Sequence, residues 1–226
     1  MDFKVEFKGL KELMAELYNI ERQQLPFAIA KALTDTAKST KEVLQQEMKQ
    51  VFDRPTPFTL NSIFIRPATK SNLQATVELK DRSYLEPQIF GGSRKLKRSE
   101  RWLGNRYWTP GQAIKLNKYG NVSGGQITKI LSALKVNPDY YQNVTTRSRK
   151  RNKNPKQYFS IIKQRGRLRP GVWMKSKTGV RPMLIFVNGV SYKPRFHFFK
   201  VGIRSAHEIF PVKLREAIDN AIKTAK

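Results

Sequence analysis

The 226-residue chain has no cysteine and only two histidines, His197 and His207. The missing thiols exclude disulfides, thiol nucleophiles, Cys-ligated zinc and iron–sulfur clusters. Acids are also scarce: 17 Asp and Glu stand against 44 Lys and Arg, a formal net charge of +27. Metal-assisted hydrolysis relies on clustered acids that hold and activate water. From Ser93 to Pro182 there are only two, Glu100 and Asp139. No paired-carboxylate, His-x-x-x-His or Ser-His-Asp spacing is visible, so no catalytic constellation, metal or cofactor is expected, and both histidines read as structural. No apolar run approaches the roughly 20 residues that cross a bilayer. The start, Met-Asp-Phe-Lys-Val-Glu, is charged and lacks the apolar stretch of a secretory signal, so the expectation is a soluble protein made and used without export.

What is abundant is positive charge, and it is uneven. The segment 93–182 holds 23 Lys and Arg, a net of +21, and the rest of the chain nets +6. A basic segment of this size points to a polyanionic neighbour, either nucleic acid or a strongly acidic protein surface. The flanks carry the clear periodic elements. This predicts an α+β scaffold from 1–92 and 183–226: long N-terminal helices and a C-terminal helix on a small antiparallel sheet, with a basic inserted arm over 93–182.

Phe3, Val5 and Phe7 alternate with charged residues, as in a half-buried strand. Leu10, Leu13, Met14, Leu17 and Ile20 predict a helix over Leu10 to Arg22, and the 3-4 spacing after Pro26 predicts a long one to Phe52. Ser62 to Arg66 and Leu73 to Lys80 read as strands. Thr128 to Leu134 reads as a helix, and Tyr158 to Lys163 as a strand. Asn188-Gly189 between Met183–Val187 and Val190–Tyr192 suggests a tight hairpin. Phe196 to Val201 reads as the closing strand and Phe210 to Ala225 as the last helix.

Two basic runs are the candidate contact residues for a polyanion: Arg94, Lys95, Lys97 and Arg98, then Arg147, Arg149, Lys150, Arg151 and Lys153, the latter read as a loop. Five positive charges within seven residues, with no acid among them, motivate the second run. Trp102, Tyr107, Trp108 and Trp173 are either stacking groups or a small satellite core, and the core reading is favoured. Gly91-Gly92-Ser93 reads as a plain turn rather than a phosphate nest. No helix-turn-helix, zinc-finger or RNA-recognition signature supports base-specific reading.

The layout resembles the tail-completion and minor tail protein Z type proteins of long-tailed bacteriophages. The likeness lies in Val5-Glu-Phe-Lys-Gly-Leu-Lys-Glu-Leu13, the helix opening at Pro26-Phe-Ala-Ile-Ala-Lys-Ala-Leu-Thr34, and the stretch Arg54-Pro-Thr-Pro-Phe-Thr-Leu-Asn-Ser-Ile-Phe-Ile-Arg-Pro67. Ser83-Tyr-Leu-Glu-Pro-Gln-Ile-Phe-Gly91, Pro194-Arg-Phe-His-Phe-Phe199 and the helix after Pro211 complete it. Pro87 and Gly91-Gly92 depart from the simpler pattern with a single glycine. The resemblance covers about 1–92 and 183–226 and implies a non-enzymatic virion protein of the neck or upper tail. It implies a ring of six copies that completes the tail, contacts tail tube or terminator proteins, and joins the head connector around the DNA channel. Before assembly such a protein resides in the host cytoplasm, with no membrane contact. A ribosomal or chromatin type, sequence-independent nucleic-acid-binding protein is the alternative. Whether the basic arm meets DNA or an acidic protein stays open.

Overall fold

A computed structural model describes residues 1–5, 24–80, 83–151, 157–176 and 178–224. The architecture is α+β, and the chain divides into two units, 1–90 with 193–226, and 91–192. The expected helix over Leu10 to Arg22 and the Phe7 end of the first strand lie outside the described residues.

In the first unit, strand β1 (Asp2–Val5) precedes helix α1 (Gln24–Val51). The short helix α2 (Pro57–Leu60), strands β2 (Ile63–Arg66) and β3 (Ala75–Leu79) and helix α3 (Glu86–Phe90) follow. The chain returns as the C-terminal helix, Phe198–Thr224. The sheet is antiparallel in the order β1-β3-β2, with Phe3 opposite Val77 and Ile63 opposite Leu79. Helix α1 forms because Leu25, Ile29, Leu33, Leu44 and Met48 recur at helical spacing, and all five are buried. Each such side chain contributes roughly 1.5–3 kcal/mol on leaving water. Ala28, Ala32, Thr36, Ala37 and Thr40 are buried too, and small residues let a neighbouring helix approach closely. The C-terminal helix is the main packing partner of α1. Glu47 of α1 ties them together: its Oε1 accepts the His197 N–H at 3.0 Å, just ahead of the first helical turn.

The expected strand over Phe196 to Val201 is instead the entry to this helix. Phe198, Gly202, Ser205, Ala206, Phe210 and Ala217 are buried at 3-4 spacing, so the helix starts twelve residues before the expected Phe210. Pro211 lies inside it. Phe196 and Phe198 are fully buried in an aromatic cluster, with Phe3 edge-on to Phe198 at 5.4 Å and Phe52 edge-on to Phe196 at 5.8 Å. Gln88 is the fastening point of this unit's two chain segments. Its carbonyl accepts the N–H of Arg195 (2.9 Å) and of Phe196 (3.0 Å), and its Oε1 accepts Arg195 Nε at 2.6 Å.

The second unit opens and closes on a paired bridge: Gly92 N–H to the Tyr192 carbonyl (3.0 Å) and Tyr192 N–H to the Gly92 carbonyl (2.8 Å). It contains helix α4 (Arg98–Trp102), strand β4 (Tyr107–Pro110), helix α5 (Gly124–Ala133) and a 3-10 turn (Tyr140–Gln142). Helix α6 (Thr146–Arg151) and strands β5 (Gln157–Ile161), β6 (Gly171–Ser176) and β7 (Gly179–Val187) follow. The sheet is antiparallel in the order β4-β7-β6-β5. Leu103, Trp108, Ile114, Ile130, Leu131, Val172, Met183 and Leu184 form its own core. The expected boundary at Pro182 therefore falls inside β7, a central strand of this sheet. The expected hairpin at Asn188-Gly189 is absent: β7 turns back on β6 between Ser176 and Gly179, and Tyr192 pairs with Gly92.

Candidate functional site

All 23 Lys and Arg of the basic segment fall within the second unit, together with its only two acids. Those acids do little to offset the surface charge. Glu100 is fully buried, and Arg94, itself buried, grips it through two 2.6 Å bonds, Nη1 to Oε2 and Nη2 to Oε1. Glu100 Oε2 also accepts the Lys97 N–H at 2.6 Å, which starts α4 in the manner of a capping box. Its Oε1 accepts the Trp108 N–H at 3.3 Å and so ties α4 to β4. Burial alone pushes a carboxyl pKa upward, but these bonds outweigh it and hold Glu100 below the ordinary glutamate range. The Glu100 bonds hold Arg94 more firmly protonated than an ordinary arginine.

Arg94 therefore leaves the expected contact set: its charge is spent on a buried bidentate pair. Lys95, Lys97 and Arg98 are exposed. Lys97 Nζ lies 5.1 Å from the centre of the Trp108 ring, and desolvation there, then the Arg94 charge, lowers its pKa from the usual lysine value. Arg98 covers the Trp102 ring at 4.8 Å. In the second run, Arg147, Lys150 and Arg151 are exposed on α6, and Arg149 belongs to the same helix. Lys153 lies outside the described residues. The expected loop is thus helical over Thr146–Arg151. Thr145 and Ser148 cap each other's backbone N–H groups, at 3.0 and 3.1 Å, and Lys and Arg then propagate a helix well.

The aromatics follow the core reading. Trp108 and Trp173 are buried; their indole N–H groups bond Ser99 Oγ (3.2 Å) and the Arg169 carbonyl (3.0 Å). Trp102 and Tyr107 are half-buried, with ring faces covered by Arg98 and Arg94. An open cleft of about 670 Å³ lies between α4, α5 and the 3-10 turn. Lys97, Arg98, Trp102, Ile127, Leu131 and Asp139 are among the residues that line it.

Sequence reasoning missed Tyr140 and Tyr141, which are 80% and 95% exposed. Their signal was Asn137-Pro138-Asp139, a turn sequence directly ahead of two adjacent aromatics. His197 and His207 are both exposed, and among the described residues no group of three or more His, Asp or Glu could hold a metal ion. No described helix is long and apolar enough to cross a membrane.

The arrangement offers binding through exposed cations carried on a small folded unit. Comparison with known proteins gives no match, whether to a family model, a curated protein or a solved structure.

Proposed function

We propose that the protein is a structural component of the neck or upper tail of a long-tailed phage. In this reading a ring of copies, six by the resemblance, completes the tail and joins it to the head connector around the DNA channel. The observation that carries the reading is the partition of charge: 91–192 holds a net of +21 on its own folded unit, against +6 for the rest of the chain. A scaffold of near-ordinary charge suits assembly, and a unit with 23 cations and only two acids, one of them buried, suits a polyanion. DNA in a channel must slide, so phosphate contact without base reading is the chemistry required. The order of phage-like motifs along 1–92 and 183–226 supports the same reading.

The test changes Arg147, Arg149, Lys150, Arg151 and Lys153 together to Ala, and measures duplex binding against salt alongside head–tail joining. If the polyanion is DNA, affinity falls equally for unrelated sequences and the salt dependence flattens. If it is an acidic ring, DNA binding stays and joining fails. Normal joining with normal DNA binding overturns the role given to this cluster. Strong DNA binding by a protein missing from purified particles favours a ribosomal or chromatin type function instead.

A further inference from the structure

We infer that the Tyr140–Tyr141 turn and the cationic helix α6 form a docking knob for an acidic protein surface. The turn is held by side chains rather than by a hydrophobic core. Asn137 Oδ1 accepts the Asp139 N–H at 3.1 Å, and Asp139 Oδ1 accepts the Tyr141 N–H at 3.1 Å. Gln142 Nε2 donates to Asp139 Oδ2 at 2.8 Å, and Asn143 Nδ2 donates to the Asn137 carbonyl at 2.9 Å. Ser132 Oγ on α5 donates to the Gln142 carbonyl and fixes the turn to the unit's core helix. All of this fastening holds two tyrosine rings out in water, 80% and 95% exposed. Neither ring packs the fold it stands on, yet a large aromatic of this kind covers roughly 150–250 Å² when a partner buries it. A turn already fixed in shape loses little entropy on binding.

The charge that follows the turn in sequence selects the partner. Arg147, Lys150 and Arg151 stand exposed on the helix that follows within a few residues. Asp139, bonded within the turn, is a single negative charge against these three cations. Tyrosine and arginine are the anchor residues of protein interfaces. The two rings meet edge to face, with planes 77° apart and centres at 6.4 Å. A duplex keeps its base faces inside the stack, where an exposed ring meets only sugar and phosphate. An acidic protein surface with a pocket for an aromatic ring satisfies both the rings and the cations. The inference stands without the neck reading, since charge and shape alone define the partner.

The test uses the full chain in the cells that produce it, with Tyr141→p-benzoylphenylalanine, which keeps an aromatic ring at the tip and crosslinks on irradiation. The expected result is one protease-sensitive, nuclease-resistant adduct to a protein of net negative charge. Its yield should fall about tenfold when Arg147, Lys150 and Arg151 are changed to Ala, because cations at an interface rim speed encounter. The same probe at Leu116, also exposed in this unit, should give no such adduct. A nuclease-sensitive adduct, no adduct, an equal adduct from Leu116, or a yield indifferent to the three cations overturns the inference. Melting of each variant at the wild-type temperature shows that folding is intact.

Discussion

Glu100 is the residue on which the basic unit closes: one buried carboxylate receives Arg94, the Lys97 N–H and the Trp108 N–H. Removing its charge strands the Arg94 guanidinium in a buried site, and breaking such a pair costs roughly 3–5 kcal/mol. Glu100→Gln is expected to lower the thermal midpoint of the 91–192 unit accordingly, whereas Glu86→Gln, at an exposed site in the other unit, leaves it unchanged. The pH dependence follows from the lowered pKa. The stability Glu100 adds is present above the ordinary glutamate value of 4.5 and is lost as the pH falls below it toward the folded-state pKa. An acid titration should show this unit weakening below that value, with the effect gone in Glu100→Gln. The sequence showed a run of cations here but not which one turns inward. The readable sign was Glu100 itself, one of only two acids in the basic segment, three residues after Lys97 where a capping-box acid belongs.

Helix α1 and strands β2 and β3 were legible because their apolar residues keep one period over their whole length. The C-terminal helix was not, because Arg195-Phe196-His197-Phe198 mimics strand alternation and Pro211 mimics a first-turn proline. In the fold, Phe198 begins a helical stripe, and Pro211 sits mid-helix at the loss of one ladder hydrogen bond. Asn188-Gly189 misled for a similar reason: turn chemistry is local, while strand pairing was decided by β6 and by the Gly92–Tyr192 bridge. Two substitutions test the element packing. A Cβ at Gly202 would overlap the ring of Phe3, which is wedged against Phe198. Gly202→Ala should therefore destabilise by about 1–3 kcal/mol, against the usual helix gain, and denaturant midpoints measure it. Leu44, fully buried on α1, tests the helix face: Leu44→Asp should cost more than about 4 kcal/mol and leave the first unit unfolded by circular dichroism and proteolysis. Wild-type melting for that variant would refute the assignment.

At the scale of the molecule, the α+β class and the concentration of charge were readable from composition and period alone. The proposed contact surface was only half readable. The cations were visible as runs, but the exposed aromatics were not the tryptophans, which the satellite core absorbs. Exposed charges act over only about 8 Å at physiological salt, so a unit of +21 must lie close to whatever it serves. The neck reading puts such units around one axis, where like charges repel unless a polyanion lies between them. Electron microscopy of tailed particles carrying a tagged copy tests this directly. The account predicts density for the protein as a closed ring at the neck or upper tail, with the 91–192 units against the DNA or an adjoining acidic ring. Complete particles with no copy of the protein at either place would contradict it.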